Sequence, residues 1–204
     1  MPLRDRNRLL LAAGYAPVYP ERALDHKAMQ PVADVLAVVI KRSDPHPTVI
    51  VDRHWNLLMA NDAAFWLCGG VAPVLFEPPA NVARLSLHAD GLAPRIRNFD
   101  EYAGHLLARL RRTADLTCDT DLGALVDELE TLLPVQSLPS RRSDGPPAFA
   151  LPLEIDVEGH SLSFFSIIAR FGTAIDVTLD ELSIETFYPA DTTTADLLKQ
   201  RPWR

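Results

Sequence analysis

Polar and cationic side chains crowd into one stretch of the chain. Between positions 81 and 98 stand Asn81, Arg84, His88, Asp90, Arg95, Arg97 and Asn98. Arg84 or Arg95 could hold a carboxylate or phosphate in a forked, charge-assisted pair, with His88 adding a donor and Asn81 completing the rim. The competing reading is a structured loop whose Arg and Asn side chains satisfy buried carbonyls. Trp55, Phe65, Trp66, Phe164, Phe165, Phe171 and Phe187 supply aromatic surface. Each taken alone suits a packed core, and as a set a few would line a cavity, Trp55, Phe65 and Phe164 among them.

Catalytic and metal patterns are weak. Gly159-His160-Ser161-Leu162-Ser163 approaches the G-x-S-x-G nucleophile elbow but lacks its last glycine. It also sits where a strand turns into a strand, not into a helix. A hydrolase is therefore a remote alternative, and no catalytic residue is assigned. The six histidines show no HxxxH or HExxH spacing. No metal and no cofactor are expected. Asp127, Glu128 and Glu130 fit a solvated helix face, and Arg109, Arg111 and Arg112 fit a helix C-terminus.

The chain has 204 residues, 48% hydrophobic and 23% charged, enough for one domain with a true core. Lys and Arg number 20 against 27 Asp and Glu, a net charge of −7. That balance does not suit a whole chain gripping a phosphate backbone. Cys68 and Cys118 stand fifty residues apart. They read as reduced thiols of a cytoplasmic protein. Arg4 to Arg8 followed by Leu9 to Gly14 mimics a signal peptide, but Asp5 and the short apolar run favour a helix closed by Gly14. No apolar run approaches the roughly 20 residues of a membrane span.

Periodicity places the elements that must position these groups. A short helix is predicted over 4–13 and a second over 25–42, with Val32, Val35, Leu36 and Val39 on one face. Thr48–Val51 is apolar on both faces and reads as a central strand. Trp55–Ala60 pairs with it. Asn61 then caps a helix over 62–68, closed by Gly69-Gly70. Residues 71–98 are irregular, with one helical turn in 82–88. Helices follow over 99–112 and 121–133, then a Ser/Pro/Arg-rich exposed loop over 136–147. Leu151–Val157 alternates apolar and polar, and Glu158-Gly159 turns it. Leu162–Phe171 is apolar on both faces, and Leu182–Tyr188 is the last strand. Asp191–Thr194 caps a helical turn reaching Lys199.

Two strands, helices, then three strands is the order of an α+β, PAS-like fold. It has a five-stranded antiparallel sheet, helices on one face and an N-terminal helical extension. Its motifs resemble a family. Arg6–Pro17 is similar to the end of an Xre-type helix-turn-helix domain. Val51-Asp52-Arg53-His54-Trp55-Asn56-Leu57 with Ala60-Asn61 resembles the opening hairpin of the MmyB-like transcription-regulator ligand-binding domain. Asn81, Arg84–His88 and Gly91–Ile96 resemble its central motif. Leu162–Phe165, Phe171–Thr173 and Asp176–Leu179 resemble its last strands. The resemblance implies a cytoplasmic regulator whose domain binds a small apolar molecule, with fatty acids the expected class. It divides the chain into 1–20, the remnant of a helix-turn-helix, and 21–204, the sensing domain. The recognition helix is missing, so DNA would be reached only through that absent module. A ligand-free dimerisation module is the alternative, with a homodimer as partner.

Overall fold

The computed structural model describes residues 1–133 and 151–203. The expected loop at 136–147 lies outside the described residues. Five strands form one antiparallel sheet: β1 (Thr48–Val51), β2 (Leu57–Ala60), β3 (Leu153–Val157), β4 (His160–Ala169) and β5 (Ser183–Pro189), ordered β2-β1-β5-β4-β3. The fold is α+β, as expected, with β1 inside the sheet and all four of its residues buried. A four-residue strand buried on both faces needs cover on both sides, and it has it. Val49 and Val51 pack against Ala64 and Val82, while Ile50 packs against Leu36, Ile40 and Leu182.

The helices supply that cover. α1 spans Leu3–Ala12 and α2 spans Gln30–Arg42. α3 (Asp62–Leu67) and α4 (Val82–Leu87) follow the first hairpin. α5 (Phe99–Thr117) and α6 (Thr120–Thr131) share one apolar cluster that includes Leu106, Leu107, Leu110, Leu122, Val126 and Leu129. α7 (Val177–Glu181) precedes β5, and α8 (Thr192–Gln200) ends the described fold. α2 lies on the sheet face opposite α3 and α4, across Ile50, Met59 and Ile184.

Several boundaries differ from the periodicity, each for a local reason. The helix expected over 25–42 begins as a 3-10 turn at Lys27–Met29, and regular α2 starts at Gln30 with Pro31 in its first turn. β2 starts at Leu57, not Trp55. Asp52 Oδ1 accepts from the His54 and Asn56 N–H groups at 2.8 and 2.9 Å, and this turn throws Trp55 to φ 67°. α5 runs to Thr117 because Ala114 continues its buried stripe, and Cys118 then stops it in the left-handed region at φ 49°. α7 was not expected. Asp176 caps it, accepting from Thr178 N–H at 3.0 Å. β4 is not buried on both faces. Past Phe164 it pairs only with β5 among the described residues, and Phe165, Ile167 and Ile168 stay exposed.

α1 ends as expected at Gly14, whose φ is 82°. Gly14 N–H bonds to Leu11 O and Tyr15 N–H to Leu10 O, the paired contacts of a Schellman stop. Asn7 holds the returning chain, accepting from Val18 and Tyr19 N–H and donating to Tyr19 O at 2.7 Å.

Asn61 joins sheet to helix. Its buried Oδ1 accepts from Thr48 N–H at 2.9 Å and from Ala64 N–H at 3.0 Å. Its Nδ2 donates to His46 O and to Asp44 Oδ1. Asn61→Ala should cost about 2 to 3 kcal/mol in urea unfolding, combining a lost cap with orphaned groups. Asn61→Asp keeps the acceptor but loses both donations and puts a carboxylate beside Asp44. It should be the less stable variant at neutral pH and recover toward Asn61→Ala in acid.

Candidate functional site

The first hairpin, α3 and α4 enclose an apolar crevice. Val49 and Leu57 form its floor, and Ala64, Phe65, Cys68, Val82, Leu85 and Ser86 form its walls, with Phe76 over the top. Both helices are only six residues long, too short to persist alone. Side-chain caps hold them. Asn61 starts α3. Asn81 starts α4, accepting from Ala83 and Arg84 N–H at 3.1 and 3.2 Å and donating to His54 O at 2.8 Å. Val82 N–H bonds to Trp55 O and Leu57 N–H to Ala80 O, so the start of α4 is laced to the start of β2.

The crevice is nearly closed at about 40 Å³. One water in the liquid takes roughly 30 Å³, and a pocket for a drug-sized ligand about 300–1,000 Å³. The roof is its loosest part. Phe65 is 52% exposed, and none of the 3-10 turn Pro73–Phe76 is buried. Burial pushes the Cys68 thiol up to about 11, with Arg95 pulling the other way. At neutral pH the thiol is an uncharged wall of the crevice.

A polar cluster lies behind Ser86, outside the crevice lining. Beside it lies Tyr102, pushed up to about 12 by burial and by the charge of Glu185. Glu185 sits on β5 opposite Val49, facing the helices, with its side chain 5% exposed. Its counter-charge is Arg109 of α5, Nη1 to Oε1 3.6 Å. The Arg109 guanidinium lies 4.4 Å over the Trp55 ring, and its buried Nε has no hydrogen-bond partner among the described residues. A buried carboxylate with one loose ion pair and an orphaned donor marks a polar cluster that is incompletely satisfied. It holds no nucleophile–base pair.

Of the seven residues put forward from sequence as ligand-binding, Phe65 lines the crevice and the other six do not. Asn81 is buried and spends its side chain on the α4 cap and the hairpin. Arg84 points away, forked onto Glu128 of α6 with Nη2 to Oε2 2.7 Å. That bond raises the Arg84 pKa further above its ordinary value and lowers that of Glu128, burial opposing both. Arg95 donates to Leu67 O at 2.8 Å and so finishes α3. The fork expected for a ligand anion is therefore taken in Arg84 by Glu128, while Arg95 spends one donor on the Leu67 carbonyl and does not line the crevice. His88 Nδ1 accepts from Asp90 N–H at 3.0 Å. Trp55 lies under Arg109, and Phe164 is fully buried among Leu162, Ile155 and Leu198. Glu185 escaped the sequence reading. Its signal was alternation, since it shares a strand face with Ser183 and the partly buried Phe187.

A second cluster ties the hairpin to α6. His54, Asp119 and Asp121 bring possible ligand atoms within 4.8 Å of one another. Asp119 is already occupied. It caps α6 through Asp121 and Leu122 N–H, faces His54 Nε2 at 3.2 Å and Arg53 at 3.4 Å. Burial works against its charge, but the Leu122 N–H, Arg53 and His54 outweigh it and hold the carboxyl below the ordinary carboxylate range. The arginine beside it opposes a cation.

The family model of the MmyB-like transcription regulator ligand binding domain matches residues 32–200, which takes in all five strands and the helices from α3 to α8, with α2 from its third residue. No protein of curated function matches the chain. No helix among the described residues is long and apolar enough to cross a membrane.

The two arginine pairs should differ in weight. Arg109→Ala leaves Glu185 buried and unpaired and should cost about 3 kcal/mol in urea unfolding. That is the low end for breaking a buried pair, because Arg109 is 31% exposed. Arg84→Ala opens an exposed pair and should cost about 1 kcal/mol or less.

Proposed function

The chain belongs to the MmyB-like transcription regulator ligand-binding domain family, and from that premise we propose that it is the sensing part of a cytoplasmic, Xre-type DNA-binding regulator. The observation that carries the reading to a place is the apolar crevice under Phe65. Its lining offers little besides methyl, methylene, aromatic and protonated thiol groups. Such a lining selects a small apolar molecule, and a fatty-acyl chain fits the chemistry. A chain of about nine methylenes gains roughly 7 kcal/mol on burial, at about 0.8 each. Association removes much of that, leaving binding in the micromolar range or weaker. Affinity then comes from the tail. Glu185, buried behind the crevice wall opposite Val49, disfavours a second carboxylate at the inner end, so an acid headgroup stays at the Phe65 mouth.

Entry requires the crevice to widen. Phe65 is exposed and the Pro73–Phe76 turn holds no fully buried residue, so widening there breaks mainly the half-buried contacts of Leu75 and Phe76. The floor residue Val49 adjoins Ile50, which bears on Leu36 and Ile40 of α2. α2 thus receives any shift of β1 and leads back toward the N-terminal end, where the DNA-binding module would stand. The coupling exists only to the extent that the two arrangements of α2 differ in ligand affinity. DNA contact belongs to that module, since the net charge of −7 does not suit this domain for it.

A ligand-free dimerisation module is the second reading. It is favoured by the small crevice volume and by Phe165, Ile167 and Tyr188, which lie bare on one sheet face among the described residues. Calorimetric titration with decanoate separates the two. Sensing predicts saturable one-to-one binding that Ala64→Phe weakens at least about tenfold by filling the crevice, while Arg84→Ala stays within about twofold. Val82→Phe serves as the second filling variant if Ala64→Phe fails to fold. Absence of binding, together with a stable dimer in sedimentation, would favour the dimerisation module.

A further inference from the structure

We propose that the cleft beneath α1 is a second binding site, distinct from the apolar crevice, for a small molecule carrying carboxylate or phosphate groups. The cleft measures about 360 Å³, within the range of small-molecule pockets. α1 forms one wall, the junction of α5 and α6 another, and α7 with the end of β4 the third. Arg4, Arg8, Arg53 and Arg170 border it, as do Asp5, Asp119, Asp180 and Glu181.

Counting hydrogen-bonding capacity shows what is left over. Three of the carboxylates are engaged. Asp180 accepts from Leu3 N–H at 2.9 Å. Glu181 takes the Arg4 fork at 2.6 and 2.9 Å. Asp119 caps α6 and faces His54. Arg4 is spent on Glu181 and Glu21, but the other three guanidinium groups are not. Arg53 lies 3.4 Å from Asp119 and 3.9 Å from Glu181 without a hydrogen bond to either. Among the described residues Arg8 makes only a 3.5 Å contact to Thr117 O and a 3.7 Å contact to Asp5. Arg170 is exposed and has no ion-pair or hydrogen-bond partner among the described residues. The cleft therefore presents under-used donors from three elements, Arg8, Arg53 and Arg170, beside carboxylates that each already face a partner.

Four arginines face four carboxylates, so the pull on an anion is not one of net charge. It comes from directed donors at close range, and it selects acceptor-rich groups that reach between Arg53 and Arg170. Phe171 and Leu122 give the rest of the ligand an apolar wall. A molecule bridging Arg8 of α1 to Arg53 and Arg170 would clamp α1 onto the body, reinforcing the Leu3–Asp180 and Arg4–Glu181 contacts.

Calorimetry on the 204-residue chain at low salt tests this, with pyrophosphate and citrate as probes. At least one should bind one-to-one with Kd below ~1 mM, the stronger naming phosphate or carboxylate chemistry. Arg170→Gln and Arg53→Gln should each weaken it about tenfold, while Arg97→Gln, an exposed arginine outside the cleft, changes it less than about twofold. Arg170→Gln removes no described contact, so it remains informative if Arg53→Gln unfolds. Binding of neither probe below ~10 mM would overturn the proposal. So would equal weakening by Arg97→Gln and Arg170→Gln, which would mean diffuse attraction.

Discussion

Two buried asparagines carry the geometry on which the candidate site rests. The six-residue helices α3 and α4 have neither the length nor the buried area to hold themselves in place. Asn61 and Asn81 fix them by satisfying helix N–H groups with one end of the amide and hairpin groups with the other. An aspartate in either place would accept but not donate, and a serine would not reach both sides. The amide therefore sets the spacing between the sheet and the two short helices. That spacing is the crevice.

The same economy explains why the crevice can be both well placed and almost shut. Its floor and caps are rigid and hydrogen-bonded, while its roof is a half-exposed phenylalanine and a 3-10 turn with no buried residue. Opening therefore costs apolar contact at the roof and leaves the Asn61 and Asn81 bonds intact. At the inner end the Glu185–Arg109 pair is a standing cost, since taking two charges out of water is unfavourable unless they are well paired. At the other end of the domain, α1 is held by the Leu3–Asp180 bond and the Arg4–Glu181 fork to α7, beside the buried Leu3 side chain.

Local chemistry made much of this legible. The alternation of Leu153, Ile155 and Val157, the β-branched run Thr48–Val51 and the cap at Asn61 each state their structure within a few residues. The hairpin was blurred only where the Asp52 side chain redirects the backbone. Arg84 and Arg95 mark the limit. Their partners, Glu128 and the Leu67 carbonyl, come from 44 and 28 residues away, and nothing in the local pattern distinguishes a guanidinium spent on the fold from one left for a ligand. Glu185 was legible in principle, as a charge at an inward position of a strand. It required trusting the alternation over the habit of placing glutamate in water.

The central claim is that the crevice under Phe65 admits an apolar molecule, and native mass spectrometry of the purified chain tests it most directly. Organic extraction then identifies whatever travels with the protein. The account predicts an apolar, acyl-like adduct at up to one per chain, absent from the Ala64→Phe variant. An adduct that persists unchanged in that variant would contradict it, as would a chain that stays apo and takes up no acyl molecule when one is supplied in excess.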